Sequence, residues 1–198
     1  MWQVRNFPPL PVGDTDAGYI ESARRALGEL GHDTKYLGHI RLGDSCFVVS
    51  AGEDGPHGAR PLGCPKRGLV VLHAIVRLSL HTGPTPAWET TEISMLRGRI
   101  NPDLPSEIFY PREREVGPAV TWVVATLGEH YDLNLCAGLV LDPRVHTVEV
   151  EFAGGARFTT KAADGGYFGA VHVPRQPLVA VVRAWDEAGE LLQQTRFL

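Results

Sequence analysis

Residues 138–198 constrain the fold more than any other part of this chain. Val148, Val150 and Phe152 alternate with Thr147, Glu149 and Glu151. A turn at Ala153-Gly154-Gly155 follows, then a second run through Phe158 and Thr160, a turn at Ala163-Asp164-Gly165-Gly166, and a third run from Tyr167 to Val173. Leu178–Trp185 and Leu191–Phe197 flank Asp186-Glu187-Ala188-Gly189. Side chains on a strand point alternately to opposite faces, so period-two alternation gives one wet and one dry face. Gly and Asp punctuation at short intervals then predicts an antiparallel sandwich or barrel.

The same logic extends upstream. Tyr36–Leu42 and Cys46–Ala51 flank Gly43-Asp44-Ser45, a hairpin signal. Leu69–His81, Glu89–Arg97, Ala119–Leu127 and Leu133–Leu141 are further strand-like runs, for roughly ten strands in all. In Leu69–His81 the set Val70, Leu72, Ala74, Val76, Leu78 and Leu80 is the better core face. One segment reads as a helix, 15–31. Ile20, Ala23, Ala26, Leu27 and Leu30 recur at helical spacing, Asp14-Thr15-Asp16 offers capping oxygens, and Gly31 closes it. The predicted fold is therefore mostly β: an antiparallel two-layer sandwich, 14–198, with one N-terminal amphipathic helix and two sub-layers, 34–97 and 119–198. A Pro-rich extended arm, 1–13, precedes it.

Residues 138–198 also carry a resemblance. Asp142, Pro143, Val145, Val148, Val150, Phe152, Gly155, Asp164, Gly165, Phe168, Ala184, Asp186, Gly189 and Leu191 form a pattern similar to immunoglobulin-like β-sandwich modules of uncharacterised bacterial proteins. It spans about sixty residues and consists of turns and core positions. An additional Gly166 departs from the pattern. The resemblance implies a fold and no functional residue.

Composition narrows the function classes. The formal charge is -4 and the pI about 6.0, so no basic field favours nucleic acid or an anionic membrane. No apolar run reaches the ~20 residues of a spanning helix, and the N-terminus lacks a signal-peptide core. Three cysteines, Cys46, Cys64 and Cys136, are an odd and scattered set, which argues for a reducing compartment and predicts a cytoplasmic protein.

Motifs for chemistry are absent or broken. Gly58–Gly63 has the glycine spacing of a phosphate loop, but Cys64-Pro65 stands where lysine and a hydroxyl should follow. The eight histidines form neither His-x-His nor His-Glu-x-x-His. His57 and Cys64 are weak metal candidates, with His39 or Cys46 as a third ligand, and His130 is a further weak candidate. Cys64 beside Lys66 and Arg67 is the candidate nucleophile, since nearby cations lower a thiol pKa. Glu149 and Glu151 share an outward strand face, where carboxylates are ordinarily solvated.

The reading that follows is a non-catalytic binding or assembly subunit with no cofactor. Its partner is a protein or another copy of itself. Trp2 and Phe7 of the arm, and His57, Arg60, Lys66 and Arg67 of the Gly/Pro-rich loop 52–68, are the expected binding residues, together with exposed strand edges. The alternatives are a small metal- or cysteine-dependent hydrolase and a carbohydrate-binding module.

Overall fold

A computed structural model describes residues 2–3, 10–11, 17–53, 70–81, 84, 87–101, 103–109, 115–127, 133–172 and 179–197. Among the described residues the chain is mostly antiparallel β with a single short helix. It divides into two compact units, residues 1–59 with 72–97, and residues 60–71 with 98–198. Among the described residues no helix is long and apolar enough to cross a membrane.

The first unit begins with β1 (Trp2–Gln3) and β2 (Leu10–Pro11), followed by α1 (Ala17–Glu29), β3 (Lys35–Leu42) and β4 (Ser45–Glu53). Most of β5 (Val70–His81) and β6 (Ala87–Ile100) belongs to it. The strand order is β1-β6-β5-β4-β3, with β2 also on β6. The helix ends as its sequence predicts. Gly31 takes a φ of 80°, Gly31 N–H donates to the Gly28 carbonyl at 2.9 Å, and His32 N–H reaches the Leu27 carbonyl at 3.0 Å. These two bonds satisfy carbonyls that the helix leaves without partners. Its buried face, Tyr19, Ala23, Ala26 and Leu27, packs with Cys46, Val48, Ala74, Val76, Leu78, Trp88 and Ile93.

The face of β5 picked from the sequence therefore does carry this core. The other face departs from a simple wet and dry division, because Val71, His73 and Ile75 are also buried. Periodicity sees residue type and not cover, so a strand enclosed on both faces looks amphipathic wherever one of its core residues is a histidine.

In the second unit lie β7 (Glu107–Phe109), β8 (Glu115–Val116), β9 (Val123–Leu127), β10 (Leu133–Leu139), β11 (Thr147–Phe152), β12 (Arg157–Lys161), β13 (Gly166–His172), β14 (Val179–Trp185) and β15 (Leu191–Arg196). All of these but β8 form a three-stranded sheet, β13-β10-β9, and a five-stranded sheet, β12-β11-β14-β15-β7. All pairings in these two sheets are antiparallel except β15 with β7. One core joins them: Cys136 and Tyr167 from the first sheet meet Val148, Val150, Phe152, Val182 and Ala184 from the second. The chain passes between sheets at Asp164 and Gly165, whose φ values of 48° and 71° make the tight turn that Asp-Gly favours.

A polar side chain crosses this apolar core. Gln193 on β15 is fully buried, and its Oε1 accepts from Ala119 N–H at 2.8 Å and Val120 N–H at 3.0 Å. Its Nε2 donates to the Val120 carbonyl at 3.3 Å and lies 3.2 Å from Thr195 Oγ1. A Cβ at Gly117 would stand 2.5 Å from the Gln193 amide, so only glycine lets the chain come this close. The segment so held continues along β10: Thr121 N–H donates to the Leu139 carbonyl at 2.9 Å, and Leu139 N–H to Thr121 Oγ1 at 2.9 Å. Tyr167 adds a third tie, its hydroxyl donating to the Thr121 carbonyl at 2.8 Å.

Replacing Gln193 by Leu keeps the volume and strands two buried backbone amides, each costing roughly 1–3 kcal/mol. Urea denaturation of Gln193→Leu is expected to show a loss of about 2–6 kcal/mol. A loss under about 1 kcal/mol would mean that the clamp contributes little.

Candidate functional site

Most residues singled out from the sequence lie outside the described residues: Phe7, His57, Arg60, Cys64, Lys66, Arg67 and His130. Trp2 is described in its backbone, which pairs antiparallel with Ser94 of β6, as Leu10 does with Trp88. Both short strands of the arm thus pair with the chain's own sheet. The two proposed third ligands are otherwise engaged. Cys46 is buried in the helix–sheet core. His39 lies between two phenols, its Nε2 2.9 Å from the Tyr19 hydroxyl and its Nδ1 bonded to the Tyr36 hydroxyl. Among the described residues no group of three His, Cys, Asp or Glu side chains is placed to hold a metal ion.

Two described residues of reactive type, Cys136 and His73, sit in settings that suppress reactivity. Burial raises the Cys136 thiol to about 12, despite the opposing hydrogen bond from Tyr167, so almost none of it is thiolate at neutral pH. Burial lowers His73 to about 4, which keeps it neutral. Of the tryptophans whose side chains are described, Trp88 is 3% exposed, while Trp122 and Trp185 are half-buried and Trp122 packs edge-on against Phe197 at 5.3 Å. They make no exposed sugar platform.

An open cleft of about 550 Å³ lies between the corner Pro143–His146 and the turn at Asp186–Ala188. Its one arginine is already occupied: Arg144 Nη2 meets Asp142 Oδ2 at 2.7 Å and its Nε meets Oδ1 at 3.1 Å. The same hydrogen bonds hold the Asp142 carboxyl below its usual range. With Asp186 and Glu187 on the rim, the cleft offers no unopposed cation to an anionic ligand.

The solvent face of the five-stranded sheet is better organised. Register places Glu149 beside Arg183, Arg183 beside Gln194, and Gln194 beside Glu107. Arg183 Nη1 donates to Glu149 Oε1 and, at 3.0 Å, to Glu151 Oε2. Its Nε donates to Gln194 Oε1 at 2.8 Å, and Gln194 Nε2 donates to Glu107 Oε1 at 2.7 Å. Partial burial works against the Arg183 charge, but the bonds to Glu151 and Glu149 outweigh it and raise its pKa further. The carboxylates paired on this strand face are therefore tied to one guanidinium, an arrangement for cross-strand stability and not for acid–base work.

At one border of this face lies β12, the end strand of its sheet. Phe152 N–H donates to the Ala156 carbonyl at 2.8 Å and Ala162 N–H to the His146 carbonyl at 2.9 Å, which fixes the alternation between β11 and β12. Phe158 and Thr160 turn their backbone groups to β11. Arg157, Thr159 and Lys161 turn theirs outward, and these three residues are also exposed. Among the described residues no strand pairs with that outer edge, and neither Arg157 nor Lys161 makes an ion pair. Sequence reasoning named strand edges as contact surfaces without choosing one. The alternation of Arg157, Thr159 and Lys161 was visible, but edge position depends on pairing, which the sequence leaves open.

No known protein-family model matches this chain, and a search of curated proteins finds no match to it.

The depressed His73 value has a measurable consequence. The unfolded chain binds a proton near pH 6.5 and the folded chain only near 4. Stability tied to His73 is therefore complete above about 6.5, falls as pH drops towards 4, and falls no further below it. Denaturation between pH 7 and 4 is expected to show a decline of up to about 3 kcal/mol from this group, with His73→Leu flattening that slope. An unchanged slope in the variant would show that His73 protonates freely in the folded protein.

Proposed function

We propose that this chain is a non-catalytic binding or assembly subunit that contacts another protein through an exposed strand edge. The observation that carries this reading is the border at β12. There, the outward N–H and C=O groups of Arg157, Thr159 and Lys161 coincide with exposed side chains on the end strand of the five-stranded sheet. Exposed edges accept additional strands by main-chain hydrogen bonding, which is one of the recurring modes of peptide and protein recognition. The settings of Cys136, His73 and the Glu149–Arg183–Glu151 cluster add support, since each group is committed to the fold. The immunoglobulin-like resemblance of residues 138–198 agrees with a binding module. An odd number of cysteines, with Cys46 and Cys136 as buried free thiols, supports work in the reducing cytoplasm.

Native mass spectrometry of the gently purified protein tests this reading. A homo-oligomer or a co-purifying protein is the expected result. A bare monomer at every concentration, with no partner retained, would contradict stable assembly.

A further inference from the structure

We infer that the β12 edge takes an acidic extended segment of another protein, added as a further strand beside Arg157–Lys161. The inference rests on the binding-subunit reading and gives it a partner chemistry.

Three observations lead there. The first is geometric: the hydrogen-bonding groups of Arg157, Thr159 and Lys161 point away from β11, so a strand laid alongside finds donors and acceptors at two-residue intervals. The second is the pattern of side chains. Arg157 and Lys161 lie on the solvent face four residues apart, so an added strand sets two of its own residues, also four apart, directly opposite them. The third is charge. Glu149 and Glu151, the nearest carboxylates across the ladder, are both bonded to Arg183. The face as a whole carries Arg157, Lys161, Arg183 and Arg196 against Glu107, Glu149 and Glu151. The local sign is positive although the chain is net negative at -4.

A second copy is the obvious rival occupant, and the same charges oppose it. Two β12 strands paired antiparallel about Thr159 would set Arg157 of each opposite Lys161 of the other, like charge against like. Glutamate or aspartate at those positions turns both repulsions into attractions. Cations on an edge can also serve only to keep other strands away, and the experiment separates these roles.

The probe is a fluorescein-labelled nonapeptide of alternating glutamate and valine, titrated into the full chain by anisotropy. Its counterpart has lysine at every glutamate position. The acidic peptide is expected to bind and to weaken as salt is raised, while the lysine peptide does not bind. Amide exchange at Arg157, Thr159 and Lys161 is expected to slow in the complex. The double variant R157E/K161E is expected to reverse the preference, weakening the acidic peptide by about tenfold or more. No binding of either peptide, equal binding of both, or binding without slowed exchange at those three amides would overturn the inference. A co-purifying partner that leaves those amides unprotected would also overturn it, while the broader subunit reading would stand. A monomer that nonetheless protects them with the acidic peptide would support the inference and count only against stable assembly.

Discussion

The two sheets of the second unit are held to each other by the side-chain amide of Gln193. Apolar contact is non-directional and would tolerate a slide of one sheet over the other. The Gln193 amide does not, because it accepts from Ala119 and Val120 and donates to the Val120 carbonyl from the opposite layer. A buried amide of this kind is stabilising only when its groups are satisfied, and it then selects one register out of many. Gly117 and Gly138 belong to the same device. A Cβ at Gly138 would collide with the Thr121 carbonyl, so the backbone of β10 runs against that segment with no room for a side chain. Tyr167 closes the arrangement from β13.

That fixed register determines what the surface can present. Cys136 and His39, of types that often serve catalysis, are spent on structure. Cys136 sits against the Tyr167 hydroxyl in the core. Burial is the largest influence on Tyr167 too, raising it well above 10, so the pair carries no charge at neutral pH. His39 joins the helix to β3 through Tyr19 and Tyr36, with Trp88 edge-on to Tyr19 at 5.7 Å and the Arg41 guanidinium 5.5 Å from the Trp88 ring. Among the described residues, what the sandwich leaves open is backbone at the β12 edge, with fixed alternation and a local positive sign. A fixed edge favours binding because little backbone order is lost when a strand adds to it.

Much of the fold was legible in the sequence. The Thr147–Phe152 alternation, the Asp164-Gly165 turn and the Gly31 helix end all appear as local chemistry predicts, because each depends on residues close in the chain. The helix stripe was legible as well, although Tyr19 and Ser22 join the buried face unannounced. Gln193 was not legible. Leu191–Phe197 reads as a strand, but nothing in Leu-Leu-Gln-Gln-Thr-Arg marks Gln193, Gln194 and Thr195 as buried, which all three are. Gln193 and Gln194 reach partners 73, 74 and 87 residues away in sequence, and no local pattern encodes that. The same holds for the Glu149–Arg183–Gln194–Glu107 row, which requires the strand order. Candidate site residues were chosen from loops, the arm and motif near-misses, whereas the surface argued for above is defined by which strand comes last.

Native-state hydrogen exchange at Ala119 and Val120 tests the central role of Gln193 most directly. The account predicts that both amides exchange only through global unfolding, with the same free energy of opening as Val148 and Val150 in the centre of the sandwich. Exchange orders of magnitude faster than in those core strands would mean that residues 117–120 open on their own. The Gln193 clamp would then be a decoration on the fold and not what fixes it.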